Sequence, residues 1–194
     1  MDKNWKYYPV YVTKMEKIDK ILQANKNAKI LDVGCGEGVL IKKYLKKGFN
    51  IQGLDYNYSS GFVTQGDMTS LPFENDSFDM VLCLDVLEHL NILDQEKAMS
   101  ELSRVTKENG QAILTIPNLA HFASRISFLF LGKLLRTAEM ERHPADRPYG
   151  ELKKLIQKYF KIDKEEGLFP TFPFITFMTY FFPSISVGIH RLYN

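Results

Sequence analysis

Residues 30–38 read Ile-Leu-Asp-Val-Gly-Cys-Gly-Glu-Gly, an apolar run that passes into three glycines at alternate positions. A short apolar run that ends in glycine reads as a strand, and the missing side chains allow a tight turn and a close approach of ligand to backbone. From Val39 to Lys47 the pattern is helical, and Phe49–Asp55 is a second apolar run, so this stretch forms a βαβ unit. Working outward, Phe62–Asp67, Asp79–Asp85 and Gln111–Pro117 are three more candidate strands. Their near-continuous apolar character implies burial on both faces and hence a parallel sheet. Helical spacing is found in Pro9–Asn25, expected to pack beside the sheet, in Asp94–Lys107, closed by Asn109-Gly110, and in Gly150–Phe160. Lys161–Leu168 and Ser184–Tyr193 are expected to close the sheet as an antiparallel pair.

The bulk properties frame this pattern. The 194 residues suit one domain, and 45% hydrophobic with 25% charged residues is a globular composition. Twenty-five basic against 23 acidic residues is too even a balance to argue for nucleic acid, and no nucleic-acid partner is expected. Cys35 and Cys83 lie in apolar runs without paired spacing, so they read as reduced core residues rather than a disulfide or zinc site. Met1–Tyr8 lacks the apolar stretch of a signal peptide, and a cytoplasmic location is expected.

The chemistry gathers at the strand ends. The spacing Gly34-x-Gly36-x-Gly38 differs from the dinucleotide fingerprint, whose third glycine would fall at Val39, and Glu37 disfavours a phosphate at this turn. No P-loop pattern occurs. Asp55 ends the second strand about twenty residues beyond the turn, where a carboxylate accepts from ribose hydroxyls. Asp67 ends the third strand beside the same crevice, in reach of an adenine amino group. A phosphate-free nucleoside satisfies all three features.

These residues resemble the class I S-adenosylmethionine-dependent methyltransferases, in particular the broad small-molecule family. The motifs that carry the likeness are Ile30–Gly38, Gly53–Asp55, Gly66–Met68, Leu71–Asp79 and Val86–Leu90, in the family's order and spacing. The resemblance implies a Rossmann-like, doubly wound α/β sheet, mostly parallel with an antiparallel C-terminal strand and helices on both faces. One domain is expected over 1–194, with an N-terminal helix (1–27), a cofactor-binding core (28–117) and substrate-covering insertions at 118–148 and 169–183. It also implies that Asp32, Gly34 and Gly36 hold the methionine end of S-adenosylmethionine and Asp55 the ribose. Asp67 and the Met68 amide would hold the adenine, with Tyr56 packed on it, and the Leu84 carbonyl would receive the ammonium.

For the acceptor the sequence offers His89 and His121 as candidate catalytic groups, with Asp85, Glu88 and His143 as further titratable neighbours. Asp85, Glu88 and His89 also match the spacing of metal-assisted O-methyltransferases, but Glu-His here is common in metal-free members of the family and no metal ligand is assigned. A cofactor-binding domain without catalysis and a nicotinamide oxidoreductase are the rival readings. Phe122–Arg136 is apolar around most of its circumference, and Gly167–His190 contains no Asp, Glu, Lys or Arg. Three prolines argue against a membrane span in the second segment. Cover over the pocket of a small-molecule, even lipidic, acceptor, a homodimer surface and a peripheral membrane contact are the three readings of these segments.

Overall fold

The computed structural model describes residues 3, 8–118, 122–132, 144–145, 147–168, 178–179 and 181–193. The chain forms two compact units, one of Lys26–Asn118 and Thr137–Ile162, the other of Met1–Asn25, Leu119–Arg136 and Asp163–Asn194.

The first unit is built on a five-stranded sheet: β1 (Lys29–Val33), β2 (Asn50–Asp55), β3 (Val63–Gln65), β4 (Phe78–Leu84) and β5 (Thr106–Thr115). The order is β3-β2-β1-β4-β5, and every strand pair is parallel. β1 is central because its residues Ile30, Leu31 and Val33 have no polar side to show to water, and all three are fully buried. The chain leaves β1 toward β2 on one side and later returns to β4 on the other, which opens a crevice at the carboxyl ends of β1 and β4.

The parallel crossovers run through α2 (Val39–Leu45) and α3 (Ile92–Val105). α3 starts with the Asn91 side chain accepting from the Asp94 amide and lays Ala98, Met99, Leu102 and Val105 on the sheet. Arg104 and Glu101 of this helix hold the connection from Leu71 to Asn75: Arg104 donates to the carbonyls of Leu71 (3.0 Å) and Phe73 (2.8 Å), and Glu101 accepts from the Leu71 amide (2.7 Å). α5 (Tyr149–Tyr159) adds Leu152, Leu155, Ile156 and Tyr159 to the same core.

Two local expectations are corrected. Asn109-Gly110 does not end α3 but lies inside β5, which begins at once after Val105. The register steps from Phe78↔Thr106 to Met80↔Gln111, so 107–110 is a bulge, and Gly110 is placed where a Cβ would meet the Asp79 and Lys107 carbonyls at 3.0 Å. The antiparallel closing pair is also absent: 161–168 has no regular structure, and Pro183–Tyr193 is a helix, α6. Pro183 fits a first helical turn, and Ser186 and His190, four apart, fall on one buried stripe, a helical and not a strand period.

The regular elements described in the second unit are helices: α1 (Tyr8–Ala24), α4 (Phe122–Leu131) and α6. α1 buries Thr13, Ile18 and Leu22 and packs on α6, with an ion pair between Glu16 and Arg191.

Candidate active site

The carboxyl edge of β1 sets the geometry. Asp32 sits in register with Gly53 of β2 and Leu82 of β4, so its carboxyl is enclosed by strands on both sides. The chain then turns through Gly34, Gly36 and Gly38, all with positive φ (74°, 56° and 71°), a conformation that a Cβ disfavours. Gly34 has a second reason to be glycine, because a Cβ there would lie 2.4 Å from a methyl of Val86. Gly36 is different: the space around its Cβ position is open for 4 Å. The turn is filled by protein at one glycine and open at the next.

Asp55 fixes this turn. Its Oδ2 accepts from the Gly36 amide (2.7 Å) and its Oδ1 from the Asn57 amide (2.9 Å), while the Gly34 amide donates to the Leu54 carbonyl at 2.7 Å. The carboxylate at the end of β2 thus positions the glycine turn after β1, and each oxygen retains a lone pair for a further donor. Asp32 and Asp55 are both buried, and burial first and the nearby Asp55 charge second push the Asp32 carboxyl up to about 7. Burial likewise pushes the thiol of half-buried Cys35 up to about 12 and raises that of buried Cys83, which keeps both protonated and unreactive.

Asp67 follows β3 on an exposed turn, where its Oδ1 accepts from both the amide and the hydroxyl of Thr69 (2.8 Å each). Met68 beside it is buried, whereas the Tyr56 ring is 70% exposed, and the Tyr56 carbonyl is held by Gln65 Nε2 at 3.2 Å. Leu84 closes β4 opposite Thr115. The residues predicted from sequence for the cofactor therefore all lie on the loops or strand ends after β1, β2, β3 and β4.

Beyond β4 the chain makes one turn of 3₁₀ helix, Leu87–His89. Asp85 adopts φ +56°, its amide donates to the Thr115 carbonyl (3.0 Å) and its carboxylate accepts from the Thr115 hydroxyl (2.7 Å). Glu88 is buried, and His89 is exposed. Among the described residues no group of three or more His, Cys, Asp or Glu side chains is arranged to hold a metal ion. His121 and His143 lie outside the described residues.

Sequence reasoning missed one polar cluster beside Glu88. Gln95, buried near the start of α3, donates to the carbonyls of Leu90 (3.1 Å) and Ala145 (2.9 Å) and accepts from Arg147 Nε (2.7 Å). Arg147 also reaches the Ile92 carbonyl at 3.1 Å, and the same residues line a small cavity with Glu88, Pro117 and Leu152. Nothing local in the sequence joins positions 95 and 147, which are 52 residues apart.

The chain can now be compared with known proteins. A family model described as "Methyltransferase domain" matches residues 31–114, the stretch from β1 to β5. An uncharacterised protein of Methanocaldococcus jannaschii is 36% identical over 113 residues, 53% of this chain and 48% of that protein. A ubiquinone biosynthesis O-methyltransferase of Rickettsia bellii is 30% identical over 117 residues, 54% of this chain and 48% of that enzyme. The chain thus spans about half the length of the relatives it matches. A solved protein of Pyrococcus horikoshii shares the fold with a TM-score of 0.62 at 22% identity, covering 80% of this chain and 84% of that one. The parallel 3-2-1-4-5 sheet, the glycine turn held by a strand-end aspartate and the matched segment coincide, and residues 31–114 are similar to a methyltransferase domain in sequence and in fold.

Proposed function

We propose that this protein transfers the methyl group of S-adenosylmethionine to a small-molecule, lipidic acceptor. The observation that carries the reading is the contrast within one turn: buried Asp32 and Asp55 beside a Gly36 with open space at its Cβ position. That arrangement suits a cationic nucleoside, since two enclosed carboxyls favour a ligand that brings positive charge and hydroxyl donors. In this reading Asp32, Gly34, Gly36 and the Leu84 carbonyl hold the methionine end. Asp55 takes the ribose hydroxyls, and Asp67, the Met68 amide and the Tyr56 ring hold the adenine.

The bound sulfonium supplies an electrophilic methyl, so the protein's task is alignment of the acceptor and exclusion of water. His89 on the turn after β4 and His121 after β5 are the proposed proton acceptors for an oxygen nucleophile. The lipidic class of acceptor is supported by the relative named for ubiquinone biosynthesis.

Calorimetric titration with S-adenosylmethionine, S-adenosylhomocysteine and NAD tests the core of the proposal. The first two should bind and NAD should not, and Asp55→Ala should weaken binding by about 1–3 kcal/mol through loss of a charged acceptor. Tight NAD binding, or an unchanged Kd in a folded Asp55→Ala protein, rejects it.

A further inference from the structure

Two helices of the helical unit, α4 and α6, turn large apolar residues outward. Among the described side chains of α4 the buried ones are Ser124 and Ser127, while Phe128, Leu129, Phe130 and Leu131 are exposed, Phe130 to 75%. α6 repeats the inversion: Ser186 and His190 are fully buried, and Ile185 and Leu192 stand at 68% and 92% exposure. Phe181 and Phe182, just before α6, are exposed as well. Inside, the hydroxyl of Thr179 and Nε2 of His190 lie 2.7 Å apart in a buried hydrogen bond. Helices in water bury their large apolar side chains, whereas helices that face lipid pack through small and polar residues and turn apolar ones outward.

Helix length and charge narrow the occupant. α4 has ten residues and α6 eleven, about 15–17 Å of helix against a hydrocarbon core of about 30 Å. No helix among the described residues is long and apolar enough to cross a membrane, so the contact would be interfacial. The three segments of this unit carry ten Lys and Arg against six Asp and Glu, while the rest of the chain carries fifteen against seventeen. Arg125 is exposed on α4 itself, and Lys133 and Arg136 follow the helix in sequence. A basic unit with an outward aromatic face complements an anionic bilayer surface, which attracts nearby cations.

We propose that the helical unit docks on an anionic lipid surface through the outward faces of α4 and α6. The proposal does not depend on methyl transfer. Full-length protein should sediment with vesicles of phosphatidylcholine mixed with phosphatidylglycerol, weakly with phosphatidylcholine alone, and less as salt is raised. Phe128→Ser with Phe130→Ser should lower the partition by about tenfold or more, because two exposed rings lose their insertion. A Leu129→Trp variant on a Trp5→Phe background, which removes the one native tryptophan, should shift its emission to the blue with anionic vesicles. Sedimentation insensitive to salt and to the serine substitutions, or an unshifted Leu129→Trp emission, overturns the proposal. So does a stable dimer in solution that the serine substitutions dissolve, since a second copy would then cover the face.

Discussion

Asp32 makes the candidate site sensitive to pH near neutrality. Its carboxyl is raised to about 7 by burial and by Asp55, so over much of the range between about 4 and 7 the folded protein holds a proton that the unfolded chain has released. Folding stability from this group is complete at low pH and is lost as pH rises through about 7. Ligand affinity should move the other way, because a cationic cofactor favours the ionised carboxylate and its binding expels the proton. The Kd for S-adenosylmethionine should therefore fall as pH rises through about 7, by at most about tenfold per unit. Titrations in buffers of different ionisation enthalpy should register proton release, and Asp32→Asn should abolish both effects. An Asp32→Asn protein with the parent's pH profile would assign the proton elsewhere.

At the scale of elements, the turn after β1 depends on the turn after β4, through Val86 beneath Gly34. Gly34→Ala meets two separate penalties, a positive φ and the 2.4 Å overlap with Val86, and should cost about 2–4 kcal/mol in urea denaturation. Val86→Ala in the same chain removes the overlap but not the backbone strain. The double variant should thus be more stable than the sum of the single losses by about 1–3 kcal/mol. Strict additivity would show that the two turns do not share this contact. The same comparison shows where sequence is legible. The glycine turn, Asp55 and the buried strands follow from local residue types, and β1 to β4 appear within a few residues of their expected positions. Val86 under Gly34 and the Gln95–Arg147 cluster require the fold, since no local pattern records which loop lies beneath which. Asn109-Gly110 was misread because a bulge and a helix end use the same dipeptide. α6 was misread because its one charge, Arg191, lies in its last turn and leaves the rest of the helix without a charged face to reveal its period.

For the whole molecule, the two units should answer acid differently. His190 in the helical unit is lowered to about 4 by burial and is held neutral against Thr179. Its contribution to stability is present above about 6.5 and is lost as pH falls toward about 4, whereas Asp32 in the sheet unit contributes most at the acid end. Hydrogen exchange at pH 5 should show protection in 183–193 falling ahead of that in 29–84. Uniform loss across both units would contradict this. The segments also differ in when they leave the ribosome. Lys29 meets Asp79 across 50 residues, so β1 waits about 3–10 s of synthesis for its second neighbour at about 5–20 residues per second, yet the sheet strands are all complete by residue 115. The helical unit, assembled from three separated segments, has to wait for the last of them, and its α1 is made before the sheet but finds α6 only after every sheet strand is complete. Birth order thus lets the sheet core form before the helical unit is assembled, and leaves α1 waiting longest for its partner while the chain is still growing.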